Sequence, residues 1–272
     1  MTASLPDTPV SHLDASRGAV HAAPPALIAH RGLSAHAPEN TLAAVQAAHD
    51  AGCRWVELDV QLLGDGTPVI WHDSGLKRCT GVGGRLNRLD LAAARRLDAG
   101  RWFSPAFVGE GMATLEEMLA LIGRLGLGLN LELKVGHGRD AEALVAAALP
   151  PTLARLPAER LIVSSFDSRA LRAARHVQPD ARCLRLGLLY DRVPRNWARQ
   201  AQALDAYSLH VDWRRLKPTV ARAIAASPYW LLCYTINDRE VYRRLRDWGV
   251  HGAISDDPLQ LDLGQAERVG SD

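Results

Sequence analysis

The chain has 272 residues, 32 basic and 30 acidic side chains, a net charge of +2 and 47% hydrophobic residues, which is ordinary globular usage and excludes disorder and coiled coil. All basic residues except Lys77, Lys134 and Lys217 are Arg, interspersed with the acids, so no polycationic face asks for nucleic acid. A chain this long removes roughly 70 to 75% of its unfolded surface from water, and it needs neither disulfides nor a structural metal to hold a core.

Residues 1–24 carry Ala, Ser, Thr and Pro without an apolar period and are expected to be a poorly ordered tail, as is the polar end at 263–272. Between them, residues 25–262 read as one domain. Short apolar runs at 26–29, 55–60, 127–135, 161–164, 183–189, 206–209, 230–235 and 252–254 predict strands. Helical patterns fill the gaps at 40–51, 114–125, 140–149, 168–177, 194–203, 218–226 and 238–248, several opening on Asn, Asp, Thr or Ser. Repeated β-then-α units with a parallel sheet imply an α/β fold closed into a barrel. One interruption follows strand 2. Gly64-Asp65-Gly66-Thr67 has hairpin-turn chemistry, residues 68–71 read as a returning strand, and 73–113 form an insertion with one short helical stretch near 89–97.

Along a strand side chains alternate, so Glu57 and Asp59 share one face, and Asn130, Glu132 and Lys134 share one face of the run at 127–135. Helices cover the outside of such a barrel, so these groups point inward near the strand ends, where charge is costly unless paired or metal-bound. Three hard carboxylates with no thiol or second imidazole at ligand spacing suit Mg²⁺ or Ca²⁺. The bland alternative is a structural salt-bridge cluster around Lys134 and Arg31. His30-Arg31-Gly32 ends the first strand and His72-Asp73 ends the returning strand, at the rim where catalytic groups of barrels collect. An imidazole pair can take a proton from an attacking oxygen and give one to a leaving oxygen. Arg31 offers a planar fork for two phosphate oxygens and Lys134 a point charge.

His30-Arg31-Gly32 with Pro38-Glu39-Asn40-Thr41, then Glu57-Leu58-Asp59-Val60, Asp65-Gly66, His72-Asp73 and Glu132-Leu133-Lys134, resembles the glycerophosphodiester phosphodiesterase family in order and spacing. Leu97-Asp98-Ala99-Gly100, Thr114-Leu115-Glu116, Ser164-Ser165-Phe166-Asp167, Tyr234-Thr235-Ile236-Asn237 and Trp248-Gly249-Val250 extend the likeness over about residues 26–258. The resemblance implies a TIM (β/α)8 barrel with a small insertion, a divalent cation, and hydrolysis of a glycerophosphodiester to glycerol 3-phosphate and an alcohol. It is closest to the short cytosolic bacterial form. By position, Glu57, Asp59 and Glu132 match metal ligands, His30 and His72 the catalytic pair, and Arg31 and Lys134 phosphate contacts. Glu39 either supports the phosphate loop or is merely the first turn of a helix capped by Asn40 or Thr41. Phe166 and Tyr234 match substrate-pocket positions and otherwise read as core aromatics. The family more often has Trp at Tyr234 and, in its final Thr-Asp pair, Asp at Ser255.

Three other readings compete. A phospholipase D-like barrel acting on sphingomyelin or lysophospholipid shares the His pair but not the insertion or the Tyr234 to Asn237 motif. A catalytically silent barrel needs a broken site, and none is visible. A glycosidase using Glu57 and Glu132 leaves both His and Asp59 unexplained.

Cys53, Cys79, Cys183 and Cys233 stand far apart with no C-x-x-C pair, against zinc ribbons and a disulfide framework. The stretch from Ala19 to Ala29 is broken by His21, Pro24 and Pro25, so no secretory core is read there. No apolar run approaches the roughly 18 to 20 residues of a bilayer span. A cytoplasmic enzyme of a small-molecule substrate is expected, its oligomeric state unspecified.

Overall fold

A computed structural model of the chain describes residues 22–261. The expected tails lie outside the described residues apart from Ala22, Ala23 and Pro24. That short segment runs across the N-terminal end of the strands, where Tyr207 Oη donates to the Ala22 carbonyl at 2.8 Å and His251 Nε2 lies 3.0 Å from that of Pro24.

In chain order the elements are β1 (Leu27–His30), α1 (Leu42–Asp50), β2 (Trp55–Leu62), β3 (Pro68–Ile70), α2 (Lys77–Thr80), α3 (Leu91–Ala94), α4 (Leu115–Leu125), β4 (Gly128–Leu133), α5 (Ala141–Arg155), β5 (Leu161–Ser165), α6 (Ser168–Val177), β6 (Arg185–Tyr190), α7 (Trp197–Ala203), β7 (Ser208–Asp212), α8 (Pro218–Ala225), β8 (Trp230–Tyr234), α9 (Arg239–Asp247) and β9 (Gly252–Ser255). Strands β1, β9, β8, β7, β6, β5, β4 and β2 pair in that order, all parallel, and β1 pairs again with β2, which closes the TIM barrel. β3 adds antiparallel to β2 through the hairpin, with Val60 opposite Ile70. The turn is held by Asp65, whose carboxylate accepts from the backbone N–H of Thr67 and of Leu91.

Helix starts follow the expected chemistry. Thr41 caps α1 by accepting from Ala44 N, and Thr114 with Glu117 forms a capping box on α4. α5 runs six residues past the expected stop, through Pro150 and Pro151. Each proline removes a backbone donor, but Leu149 and Thr152 are buried against the barrel and the Thr152 hydroxyl donates to Ala148 O at 2.7 Å, so packing outweighs the loss.

Strand alternation divides the interior into two cores. Val56, Leu58, Val60, Leu129, Leu131 and Leu133 face outward under the helices and meet Leu115, Met118, Leu119 and Ile122. Each such Leu contributes about 1.5 to 3 kcal/mol on burial. Inside the barrel, Ile28, Ile162, Tyr207, Trp230, Leu232 and Ile254 form an apolar floor, with Trp55 packed against it. Gly128 is needed there, because a Cβ on it would stand 2.2 Å from the Trp55 ring. With the lower end filled by hydrocarbon, the polar inward positions are left at the C-terminal rim.

The insertion has its own small core of Leu63, Val69, Trp71, Leu76, Cys79, Leu86, Ala94 and Met112. It holds two short helices, α2 and α3, and two 3-10 turns where one helical stretch was expected, because its turns of four residues are too short to show a period.

Candidate active site

β2 delivers Glu57 and Asp59 on its inward face, and register places Glu57 beside Asn130 and Asp59 beside Glu132 on β4. One oxygen from each of Glu57, Asp59 and Glu132 lies within 4.8 Å of the others, and the three residues are 4%, 1% and 8% exposed. Lys134, just past β4, donates to Asp59 Oδ1 and Glu132 Oε1, both at 3.0 Å. Asn40 holds Asp59 from the other side, donating to Oδ2 at 2.9 Å and accepting from the Asp59 N–H at 3.2 Å.

The loop after β1 is built to enter this cluster. Arg31 and Asn40 both adopt left-handed backbone, φ 57 and 59, and Asn40 N–H donates to the Arg31 carbonyl at 2.9 Å. Gly32 follows at φ 79, where a Cβ would meet the Ala44 backbone at 2.6 Å. The Arg31 N–H thereby reaches Glu57 Oε2 at 3.2 Å, while its Nη1 donates to Glu39 Oε1 at 2.6 Å and its Nε lies 3.4 Å from Asp59 Oδ2, close enough for attraction but not aligned as a hydrogen bond. Left-handed backbone at a non-glycine costs about 1 to 3 kcal/mol and persists where surrounding contacts over-determine it, as these do.

Each histidine is held at Nδ1 by a carboxylate. His30 Nδ1 lies 2.6 Å from Asp256 Oδ1 and His72 Nδ1 lies 2.7 Å from Asp73 Oδ1. An ionised carboxylate only accepts, so the proton belongs on Nδ1 and Nε2 is left for chemistry. His30 Nε2 is 3.9 Å from Glu57 Oε2. Asp256 is fixed in turn by Asn237 Nδ2 at 2.7 Å and Ser34 Oγ at 3.1 Å. The His72 end is fixed by Gln61, whose amide donates to the carbonyls of Trp71, His72 and Asp73.

The electrostatics are uneven. Burial, then the charges of Asp59 and Glu132, push Glu57 well above the usual carboxylate range. Burial and Asp59 push Glu132 up to about 7 despite Lys134. Burial acts on Asp59 in the same sense, but Lys134, Arg31, His72 and Asn40 together hold it below its ordinary value. His72 is lowered, chiefly by burial and further by Lys134 and Arg31, against the pull of Asp59 and Asp73. Burial alone would raise Asp256, yet His30, Asn237 and Ser34 bring it down to about 2.

A cavity of about 380 Å³ opens onto His30, Arg31, Ser34, Glu39, Asn237 and Asp256. A larger groove, about 690 Å³, lies outside the barrel between Leu91, Arg95, Leu119 and Arg155 and contains none of these groups. Phe166, 47% exposed at the end of β5, meets Tyr234 edge to face at 6.0 Å, and Tyr234, at the end of β8, also packs down onto the apolar floor of the barrel.

The profile of the Glycerophosphoryl diester phosphodiesterase family matches residues 30–260. A glycerophosphodiester phosphodiesterase of Caldanaerobacter subterraneus subsp. tengcongensis is 35% identical over 239 residues, 86% of this chain and 95% of the relative. The chain belongs to this family. Among solved structures, an Oleispira antarctica phosphodiesterase in complex with the product sn-glycerol-3-phosphate superposes with a TM-score of 0.83 at 36% identity, covering 87% of this chain and 95% of that one. The glycerophosphodiester phosphodiesterase of Thermotoga maritima gives a TM-score of 0.68 at 28% identity, with 89% and 98% covered.

Family members are named as phosphodiesterases, and the donor set here fits a divalent cation. Three buried carboxylates face two cations, Arg31 and Lys134, and Arg31 also serves Glu39. The ion pairs expected of a purely structural cluster exist, but among the described residues they leave Glu57 without a lysine or arginine side chain of its own. The acidic cluster therefore retains unmet demand for positive charge.

All ten residues singled out from the sequence lie around this rim. The groups that hold them were not: Asp73, Asp256, Asn237, Ser34, Asn40 and Gln61. An acid does stand at the end of β9, one residue beyond Ser255, and Ser255 Oγ instead donates to Asn237 Oδ1 at 3.0 Å. The Asp256-Asp257 pair beside Ser255 was the available signal. Among the described residues no helix is long and apolar enough to cross a membrane.

Proposed function

We propose that this chain hydrolyses glycerophosphodiesters, such as glycerophosphocholine and glycerophosphoethanolamine, to glycerol 3-phosphate and an alcohol, using a divalent cation and two histidines. The observation that carries the reading is the convergence of the three buried carboxylates with two imidazoles, each tied to an acid at Nδ1. Glu57, Asp59 and Glu132 would hold the cation, and their all-oxygen character suits Mg²⁺ or Ca²⁺. Bound there, the ion would supply positive charge to a phosphate oxygen.

The chain's own residues do the rest. Arg31 and Lys134 bind phosphate oxygens, and Glu39 keeps the Arg31 guanidinium from swinging away. With Nδ1 protonated against Asp256 and Asp73, each Nε2 can exchange a proton with the substrate. One imidazole takes the proton of the attacking oxygen and the other donates to the departing alkoxide, each role worth about 10² to 10⁴-fold. Phe166 and Tyr234 flank the substrate at the far side of the rim.

Residues 25–262 form the catalytic domain in this reading, with 73–113 as its insertion and 1–24 and 263–272 as tails. Four unpaired thiols and near-balanced charge support a cytoplasmic enzyme with a small-molecule substrate and no nucleic-acid partner. The test is incubation with glycerophosphocholine, glycerophosphoethanolamine and a lysophospholipid, with and without chelator, following glycerol 3-phosphate from the two diesters and the released alcohol from all three, since a lysophospholipid cleaved at the same bond leaves lysophosphatidate. Metal-dependent release from the two diesters is expected. Cleavage of lysophospholipid alone would favour the phospholipase D-like reading, and no turnover of any of them the silent barrel.

A further inference from the structure

Arg78 sits in α2 of the insertion, outside every motif described above, and its guanidinium grips two carboxylates at once. Nη1 and Nη2 donate to the two oxygens of Glu39 at 2.5 and 2.8 Å, and Nε and Nη2 donate to the two oxygens of Asp73 at 2.8 and 3.0 Å. Glu39 in turn accepts from Arg31, and Asp73 holds His72 Nδ1. One side chain thus closes a continuous line of contacts from His72 through Asp73 to Arg78, then through Glu39 to Arg31.

We propose that Arg78 is a positioning residue, which sets the His72 ring and the Arg31 guanidinium in mutual register from the insertion. The proposal rests on the roles given to His72 and Arg31 above. Only a planar fork with several donors serves two carboxylates in this way, whereas a lysine ammonium is a single point charge. The anchor of the device is firm, since Leu76 and Cys79 on either side of Arg78 are buried in the insertion's core. Its target needs holding, since Arg31 stands on left-handed backbone. The Arg78 side chain is 43% exposed. Ion pairs that open to water contribute little to stability, so orientation of the site, not folding, is what these contacts provide.

The test uses the full chain with glycerophosphocholine and saturating Mg²⁺, or Ca²⁺ where Mg²⁺ gives no turnover, reading kcat, KM and the melting temperature separately. The wild type must turn the diester over; if it does not, the parent reading fails rather than this one. In an active enzyme, Arg78→Ala is expected to lower kcat about 10- to 100-fold, the usual cost of removing a group that orients a reacting histidine, with little change in melting temperature. Millimolar guanidinium chloride should recover part of the loss and ammonium chloride at equal ionic strength should not, because the site is open enough to admit the missing fork. Arg78→Lys, which keeps charge and stem, should recover only a minor part. In an Asp73→Asn background Arg78→Ala should cost much less than in the wild type, since the arm toward His72 is already cut. An Arg78→Ala enzyme within about twofold of wild type in kcat and KM overturns the proposal. So does full restoration by Arg78→Lys, which would reduce the effect to charge alone. If Arg78→Ala fails to fold, the folded Arg78→Lys protein decides by the same criterion.

Discussion

The His30 imidazole and the Asp256 carboxylate are 226 positions apart in sequence and 2.6 Å apart in space, joined where β1 pairs with β9. Asp256 has no freedom of its own, since Asn237 and Ser34 hold its oxygens. The ring is therefore oriented before substrate arrives, with Nε2 turned toward Glu57. Asp256→Ala should lower kcat about 10- to 100-fold with a smaller effect on KM, and Asn237→Ala should do the same more weakly. Steady-state kinetics of the folded variants check this, and an unchanged kcat for Asp256→Ala would remove His30 from the proton-transfer role.

Removal of divalent metal by EDTA should abolish turnover, and Mg²⁺ or Ca²⁺ should restore it. Glu57→Gln or Asp59→Asn should lose about 100-fold or more in activity. Without metal, Glu57→Gln should melt no lower than the wild type, because burial and the neighbouring acids already disfavour a charge on Glu57 and the neutral amide has the same shape. Full activity after exhaustive chelation contradicts the metal requirement.

Metal binding should release protons near neutral pH. Burial and Asp59 raise Glu132 to about 7 and Glu57 is raised as well, so the metal-free folded protein holds protons there that the unfolded chain, with carboxyls near 4.5, has lost. The sign follows: this contribution to stability is fully present below pH 4.5 and is lost as pH rises through about 7. A cation that displaces those protons reverses the trend, and its affinity should rise with pH over the same window. Calorimetric titration with Mg²⁺ or Ca²⁺ in two buffers of different ionisation enthalpy measures the release. Binding with no proton release and no pH dependence between pH 5 and 7.5 would contradict it.

Head-group preference should be weak. Phe166 and Tyr234 meet at 6.0 Å, while Tyr190 and Trp213, also at strand ends, are tied to Gln200 and to the Thr235 carbonyl, so the rings do not converge as a cage. A quaternary ammonium cage needs several rings, each contact worth about 0.5 to 2 kcal/mol. Specificity constants for choline and ethanolamine diesters should agree within about tenfold, or about 1.4 kcal/mol in transition-state binding. A hundredfold difference would reveal an alcohol pocket that these residues do not account for.

Local periodicity accounts for what the sequence determined unaided. Alternation along β2 and β4 put Glu57 with Asp59 and Glu132 with Lys134, and both pairings reappear in the barrel because a strand's two-residue period is a property of its own backbone. The eight strands and their helices were legible for the same reason, and the Thr that opens the stretch over 114–125 is the residue that caps that helix.

Tertiary structure decided the partners. Nothing local to Asp256 says that it meets His30, and nothing local to Arg78 says that it meets Glu39, because those distances exist only once β9 closes against β1 and the insertion folds back over the loop after it. Glu39 shows the difference most plainly: in sequence it could be a plain first helical turn, and in space it is clasped between Arg31 and Arg78. Which residues are polar and which way they point is written along the chain, but which charge neutralises which is set by contacts between distant segments, and here those contacts decide how the two histidines are held.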